Sequence, residues 1–207
     1  MTVPELQLLL NSRTPGPMDT AASYAVLVPM VERNGELHLL YEVRAAALRR
    51  QPREVCFPGG RMEPGESAVD CALRETREEL SIPADAIRIL GPLDFICHRG
   101  GFVIYPILAL IDPAAVDALC PNPAEVDEIF LVPLSALHSM IPVQYRYELV
   151  PRVSEDFPYE LIGIGKDYRW QHGTETGPVY PWDGKAIWGL TGRITRHVLG
   201  FFCREVD

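Results

Sequence analysis

Three glutamates, Glu75, Glu78 and Glu79, stand close together in the middle of the chain. Residues three and four positions apart lie on one side of a helix, so this spacing gathers three carboxylates on one face. Like charges at that distance repel one another, and a hard divalent cation that prefers oxygen ligands relieves the repulsion. The spacing therefore favours a Mg²⁺ or Mn²⁺ site. The alternative is a solvated helical face of mixed charge, because such charge runs are common on helices.

A helix over residues 67–80 is predicted to carry these glutamates. Ser67 and Asp70 have the spacing of a capping box at its start, and Pro83 follows its end. Apolar and methyl-bearing side chains fall on one face, away from the carboxylates, so one side should pack while the other presents charge. The side chains expected to pack are those of Ala68, Val69, Ala72, Leu73, Thr76 and Leu80.

The rest of the chain alternates predicted strands with a few helices, which indicates an α/β fold. Asn34-Gly35, between two strand-like stretches, signals a β-hairpin. The predicted elements are a leading helix within 1–20, strands at 23–32, 36–43, 87–97, 102–111 and 129–132, a loop over 52–66, a helical turn at 134–138 and a final helix at 190–203. We expect a leader of residues 1–22, helix and loop, followed by a single domain over residues 23–207.

Composition narrows the class of protein. The formal net charge is −9, which argues against nucleic acid as a partner, because a protein that coats it needs a basic face. The beginning of the chain lacks the positive region of a signal peptide, and no stretch approaches the roughly 20 apolar residues of a membrane span. The cysteines are scattered without a CxxC pair, which indicates reduced thiols and a cytoplasmic protein. They are Cys56, Cys71, Cys97, Cys120 and Cys203.

The segment from Gly60 to Ile82 resembles the Nudix box, whose pattern is G-x5-E-x7-R-E-U-x-E-E-x-G-U with U an aliphatic residue. The residues that match its fixed positions in register are Gly60, Glu66, Arg74, Glu75, Glu78 and Glu79. Thr76 replaces an aliphatic residue, and Ser81 replaces a glycine at a position that often needs a left-handed backbone. Neither change removes a carboxylate. The resemblance implies the Nudix α/β/α sandwich, in which a mixed β-sheet lies between helices.

The same resemblance implies metal-dependent hydrolysis of a nucleoside diphosphate derivative, with Mg²⁺ or Mn²⁺ as cofactor. The implied metal ligands are the carbonyl of Gly60 and the carboxylates of Glu75, Glu78 and Glu79. Family members differ in their general base, which is a glutamate of the box or a carboxylate from a later loop; here Glu125 and Glu128 are the loop candidates. The residues expected to take part in catalysis are Glu66, which orients Arg74, together with Arg74, Glu75, Glu78 and Glu125.

Residues 39–60, just before the box, resemble the pattern L-L-T-x-R-[SA]-x3-R-x3-G-x3-F-P-G-G of coenzyme A diphosphatases within the family. Arg44, Arg49 and the Phe-Pro-Gly-Gly run match in spacing, whereas Arg53 replaces the glycine and Tyr41-Glu42 replaces Leu-Thr. Residues 187–194, IWGLTGRI, also resemble a segment near the end of that subgroup. Clustered arginines suit phosphate, although an exposed basic loop without a ligand is the alternative. The residues expected to bind substrate are Arg44, Arg49, Arg53 and Arg61.

The implied reaction is hydrolysis of coenzyme A, or an acyl derivative, to 3′,5′-ADP and 4′-phosphopantetheine. Nudix proteins with similar frames cleave NADH, ADP-ribose, nucleoside triphosphates or RNA caps, so another nucleotide substrate is the first alternative. A nucleotide-binding regulator without catalysis is a second, and a fortuitous motif a third. Many relatives are dimers, and a homodimer is compatible with this sequence without being fixed by it.

Overall fold

The computed structural model describes residues 1–13 and 15–202. Cys203, and with it the last residue of the predicted final helix, lies outside the described residues. From the N-terminus the elements are helix α1 (Val3–Asn11), strands β1 (Ala22–Arg33), β2 (Glu36–Arg44), β3 (Val55–Cys56) and β4 (Gly59–Arg61), helix α2 (Ala68–Leu80), strands β5 (Ile87–Pro92), β6 (Ile96–His98) and β7 (Phe102–Ile111), helix α3 (Pro113–Asp117), strand β8 (Val126–Pro133), helix α4 (Leu134–Ser139), strand β9 (Val143–Leu149), helix α5 (Tyr159–Ile162), strands β10 (Gly173–Trp182) and β11 (Lys185–Ile187), and helix α6 (Gly189–Phe202).

An eight-stranded sheet forms the centre of the fold. Its strand order is β3-β2-β1-β7-β5, and β8, β4 and β6 pair with β2, β1 and β7 respectively. Strands β1 and β7 are parallel, from Ala22 beside Phe102 to Val31 beside Ile111. The remaining pairings of this sheet are antiparallel. The predicted α/β fold with a mixed sheet is therefore confirmed.

Strand β1 positions the loop that leads into α2. Because β7 occupies one edge of β1 along most of its length, β2 and β4 share the other edge. The half of β1 from Met30 to Arg33 pairs with β2, and the half from Tyr24 to Val26 pairs with β4. The two consecutive glycines of β4, Gly59 and Gly60, are thus hydrogen-bonded to the middle of the sheet.

Helices cover both faces of this sheet. Successive residues of a strand point to opposite faces, so neighbouring residues of β1 and β2 belong to different cores. On one side Leu27 and Leu40 pack in a core that includes Leu80 of α2. On the other side Val28 and Leu39 pack in a second core with residues of α4 and α6. The two layers of helices around one sheet make the α/β/α sandwich.

The sequence prediction differs from the structure in the short helices α3 and α5, which were not predicted, and in three parts of the sheets. The predicted loop 52–66 contains the short strands β3 and β4, whose two and three residues are too few to show a period. The predicted strand 87–97 is divided into β5 and β6, with a register shift between Ile89 and Gly91. A second, three-stranded sheet of order β11-β10-β9 was not predicted. Strand β9 is mostly exposed on both faces, so its sequence lacks the apolar alternation that marks a strand.

The predicted leading helix is present as α1, none of whose residues is buried. Strand β1 begins at Ala22, and the division of the chain into a leader and one domain at residue 22 stays a prediction. Among the described residues, no helix combines the length and apolarity that crossing a membrane would require.

Candidate active site

Helix α2 begins and ends at residues that the sequence singled out. Ser67 caps its N-terminus by accepting a hydrogen bond from the backbone N–H of Asp70 at 3.1 Å. The Asp70 carboxylate accepts from the Ser67 hydroxyl, so the reciprocal half of a capping box is replaced by a side-chain contact. Ser81 adopts the left-handed conformation at the C-terminus, with φ of 60°, and its hydroxyl donates to the carbonyl of Cys120 at 2.8 Å. That bond offsets part of the strain of a serine where glycine is common.

The prediction of three exposed carboxylates on α2 is wrong for Glu79. Its residue is only 5% exposed, and its carboxylate accepts a hydrogen bond from the backbone N–H of Gly59 at 2.9 Å. Ala72 is buried on the same side, because residues seven positions apart on a helix face the same way within about 20°. Glu78 is exposed and Glu75 lies between these extremes. The packed face is thus rotated towards Glu79, and Val69 and Leu73 are only partly buried.

Arg74 joins three carboxylates on the outer side of α2. Its Nε donates to Glu66 Oε1 at 2.9 Å and its Nη2 to Glu66 Oε2 at 3.1 Å, which is a bidentate pair. Its Nη1 donates to Glu75 at 2.8 Å and to Glu78 at 3.3 Å. We call Glu66, Arg74, Glu75 and Glu78 the outer cluster. Hydrogen bonds from Arg74 and from the backbone of Glu63 lower the pKa of Glu66 to about 2.

The loop of β4 lies against both the sheet and α2. A Cβ atom on Gly59 would come within 2.6 Å of the Cα atom of Val26, and one on Gly60 would collide with the carboxylate of Glu75. Only glycine leaves room for so close an approach of two backbones and a carboxylate. Gly60, whose carbonyl is a predicted metal ligand, therefore lies against the carboxylate of Glu75.

Glu42 is a site residue that the sequence analysis did not single out. It follows Leu40 by two positions on β2, so its side chain points to the face of the sheet that α2 covers. It is 1% exposed; its Oε1 accepts from the Cys56 thiol at 3.1 Å, and its Oε2 has no hydrogen-bond partner among the described residues. Its signal in the sequence was a charge at a core-facing strand position, where the coenzyme A diphosphatase pattern has threonine.

Glu42 and Glu79 form a second carboxylate group, which we call the inner pair. Burial raises the pKa of Glu79, and the negative charge of Glu42 raises it further. Burial also raises the pKa of Glu42, while the Cys56 thiol and Arg44 act in the opposite direction. Burial raises the pKa of Glu75 as well, and Arg74 opposes this. Acidic groups are thus concentrated where solvent is scarce, and Arg44 and Arg74 offset the effect of burial only in part.

The two candidate loop acids lie in different surroundings. Glu125, just before β8, accepts from the side-chain amide of Asn122 at 3.2 Å, and its charge raises the pKa of both Glu42 and Glu79. Glu128 instead forms an ion pair with Lys185 of β11 at 2.9 Å. The structure therefore brings Glu125, but not Glu128, to the other carboxylates.

Of the four arginines predicted to bind substrate, Arg44 is the one whose charge acts on the inner pair, where it lowers the pKa of Glu42. Its Nε is buried and has no hydrogen-bond partner among the described residues. Arg49, Arg53 and Arg61 are exposed. Arg53 adopts φ of 62°, the left-handed conformation for which the coenzyme A diphosphatase pattern uses glycine. Arg61 contributes its carbonyl to Arg74 at 3.2 Å.

The donor set is chemically suited to a hard divalent cation. All its members are oxygens, their like charges are close, and the buried Oε2 of Glu42 lacks a partner. As the side chains stand, no group of three or more His, Cys, Asp or Glu residues in the described part of the chain is arranged to hold a metal ion. In the outer cluster Glu75 and Glu78 both accept from Arg74.

The chain matches the NUDIX domain over residues 22–153. It is 38% identical over 184 residues to Nudix hydrolase 3 of Caenorhabditis elegans, covering 87% of this chain and 73% of that protein. It is 33% identical over 180 residues to a mitochondrial coenzyme A diphosphatase of Homo sapiens, covering 86% and 68%. A peroxisomal coenzyme A diphosphatase of Mus musculus is 32% identical over 135 residues, covering 65% and 56%. The matched domain contains β1, the glycines of β4 and α2, and thus both carboxylate groups.

Proposed function

Since this chain belongs to the Nudix family and is a Nudix pyrophosphohydrolase, we propose that its substrate is coenzyme A or an acyl-coenzyme A. The reaction is hydrolysis of the diphosphate linkage, which gives 3′,5′-ADP and 4′-phosphopantetheine or its acyl derivative. Another nucleoside diphosphate derivative, such as NADH, ADP-ribose or a nucleoside triphosphate, is the alternative, because relatives that share a fold differ in substrate.

The surroundings of Arg44 carry this proposal. Arg44 matches the arginine of the coenzyme A diphosphatase pattern, and its buried Nε has no protein partner among the described residues. A buried donor without an acceptor is costly, by about 1–3 kcal/mol, and a phosphate oxygen is a strong acceptor for a guanidinium. Two relatives whose names are coenzyme A diphosphatases support the same substrate. The exposed residues Arg49, Arg53 and Arg61 are proposed to bind phosphate groups of the substrate as well.

Glu75, Glu78, Glu79 and the carbonyl of Gly60 are proposed to hold Mg²⁺ or Mn²⁺. The cation, when bound, supplies positive charge that neutralises the diphosphate and stabilises the charge that develops during displacement. Arg74 fixes the orientation of Glu75, and Glu66 fixes Arg74 through its bidentate pair. These contacts hold α2 and its preceding loop in one arrangement, which orients the reacting groups.

Glu125 is proposed as the general base that accepts the proton of the attacking water. Its carboxylate is oriented by the Asn122 amide and lies in the electrostatic field of the other acids. A glutamate of the box is the alternative base. Glu128 is not proposed, because its carboxylate is engaged by Lys185.

A product assay tests the substrate. Purified protein with Mg²⁺ is incubated with coenzyme A, NADH, ADP-ribose and a nucleoside triphosphate, beside a Glu79→Gln control. We expect 3′,5′-ADP to be released from coenzyme A fastest of the set, and the release to be lost in the variant. Faster cleavage of another substrate contradicts the coenzyme A assignment. Nucleotide binding without any product would instead support a regulator.

We propose that the protein is a homodimer and that it is located in the cytoplasm. Light scattering at several protein concentrations checks the dimer. The two coenzyme A diphosphatase relatives are named as mitochondrial and peroxisomal, so fractionation of cells that produce the full chain checks the location against those compartments.

A further inference from the structure

Glu42 is a buried carboxylate whose hydrogen bonding is incomplete. Its residue is 1% exposed, Oε1 accepts only the thiol of Cys56, and Oε2 has no partner among the described residues. A thiol is a weak donor. A buried carboxylate without a partner or a cation costs several kcal/mol, and structures that keep one usually have a reason for it.

The position of Glu42 gives that reason. It points from β2 to the same side of the sheet as α2, and it accepts from the thiol of Cys56, three residues before the Gly59 whose backbone N–H donates to Glu79. Glu79 is 5% exposed and receives one hydrogen bond, from the N–H of Gly59. Two buried carboxylates therefore share one region, and the guanidinium of Arg74, which serves Glu66, Glu75 and Glu78, is not among their partners.

We propose that Glu42 is a ligand of the divalent cation, acting together with Glu79 from beneath α2. The inference rests on the proposed function, since it concerns the cation of the same site. It adds a carboxylate outside the box, at a strand position where the coenzyme A diphosphatase pattern has threonine. The cation replaces the missing partner of Oε2 and removes the repulsion between the inner pair.

Metal binding without substrate tests the proposal. The metal-free protein at pH 8 is titrated with Mn²⁺; free Mn²⁺ is followed by electron paramagnetic resonance, and the rise in Tm that Mn²⁺ produces is measured in parallel. The variants are Glu42→Gln, which keeps the shape and the acceptor for Cys56, and Glu79→Gln. Glu148→Gln is the matched control, because Glu148 is an exposed strand glutamate of the second sheet.

We expect Glu42→Gln to weaken Mn²⁺ binding by roughly tenfold to 100-fold. The same variant should raise the Tm of the metal-free protein and reduce the further rise that Mn²⁺ produces. If Glu42 were only a buried acid without a role in metal binding, Glu42→Gln would raise the Tm of the metal-free protein but would leave the further rise with Mn²⁺ unchanged. Glu148→Gln should leave both quantities as in the natural chain.

Three results would overturn the proposal. Glu42→Gln that binds Mn²⁺ as tightly as the natural chain, while Glu79→Gln does not, removes Glu42 from the site and leaves the proposed function standing. A natural chain that binds no Mn²⁺ removes both the ligand role of Glu42 and the proposed metal dependence. A Glu42→Gln protein with lower metal-free Tm and unchanged Mn²⁺ affinity makes Glu42 a packing residue.

Discussion

The outer cluster takes Glu75 and Glu78 from α2 and the inner pair takes Glu79 from the same helix, yet the two groups differ in how their negative charge is balanced. In the outer cluster Arg74 bonds three carboxylates, and the pKa of Glu66 is lowered to about 2. In the inner pair no protein cation is bonded to Glu42 or Glu79 within the described chain, and burial raises the pKa of both. The protein thus bonds its own cation to the outer cluster, whereas in the inner pair Arg44 offsets the charge of Glu42 only in part.

This difference indicates a division of labour. An arginine with a fixed fork of donors holds a loop and a helix together with little reorganisation. Buried like charges are unfavourable until a cation arrives, so they favour binding of one. Arg74 and Glu66 of the outer cluster are therefore expected to govern positioning, and the inner pair, together with Glu75 and Glu78, to govern affinity for a cation. Variants of Arg74 and Glu42 separate these two effects.

Replacing Glu125 is expected to have the largest effect on turnover. Glu125→Gln removes the proposed base while its amide can still contact Asn122, and turnover should fall about 100-fold or more. Glu128→Gln is the matched control, because Glu128 is paired with Lys185, and it should stay within about twofold of the natural rate. The measurement is kcat for product release. An unchanged kcat in Glu125→Gln would assign the base to a glutamate of the box.

Replacing Arg74 removes contacts of the outer cluster and leaves the inner pair in place. Arg74→Ala leaves three carboxylates without their shared donor, so kcat should fall by roughly 10- to 100-fold. The free energy of unfolding should fall by about 1–3 kcal/mol, since hydrogen bonds to charged groups are lost. Arg74→Lys keeps the charge without the fork and should recover the stability better than kcat. Urea unfolding and steady-state rates check these values; equal recovery of both by lysine would deny a positioning role.

Replacing Glu42 changes the inner pair alone. It should raise the stability of the metal-free protein, whereas replacing Arg74 should lower it. A carboxyl whose pKa is raised in the folded state binds more protons there than in the unfolded chain, so stability falls as pH rises above its ordinary pKa of 4.5. Glu42→Gln removes this loss and should stabilise the metal-free protein by about 1–3 kcal/mol at pH 8, with little gain at pH 4. Urea unfolding in chelator at both pH values measures it. A gain that is equal at pH 4 and pH 8 would contradict the assignment to charge.

The sequence predicted the residues of the outer cluster better than those of the inner pair. Fixed spacing along one helix and its preceding loop determines which side chains can meet, and Glu66 does pair with Arg74. The burial of Glu79 depends on the β4 loop, which closes over that side of α2, and helical periodicity alone contains no information about such a loop. Glu42 comes to the site through sheet pairing between β2 and β3, a contact that is set by register over the whole sheet.

The same distinction applies to the fold. Strand β7 and helix α2 were predicted nearly residue for residue, because each has a clear period and clear end signals. The second sheet was missed although β9 and β10 pair along seven residues of β9, from Val143 to Leu149. Strand β9 has no buried residue and is stabilised by cross-strand pairing and ring contacts such as Tyr145 with Tyr147, whereas Tyr180 of β10 and Ile187 of β11 are buried in the second core.

The smallest expected effect is a change in stability at acidic pH when Glu66 of the outer cluster is replaced. The pKa of Glu66 is lowered to about 2 in the folded protein, so its contribution to stability is complete above the ordinary value of 4.5 and is lost as pH falls through about 2. Glu66→Gln should therefore flatten the acid limb of the stability curve between pH 4.5 and 2. Glu63→Gln is the control, since Glu63 is an exposed neighbour outside the side-chain contacts of Arg74. Thermal unfolding in chelator across this range decides, because a Glu66→Gln curve as steep as that of the control would mean that Arg74 does not lower the pKa of Glu66. The inner pair would then be distinguished from the outer cluster by burial alone.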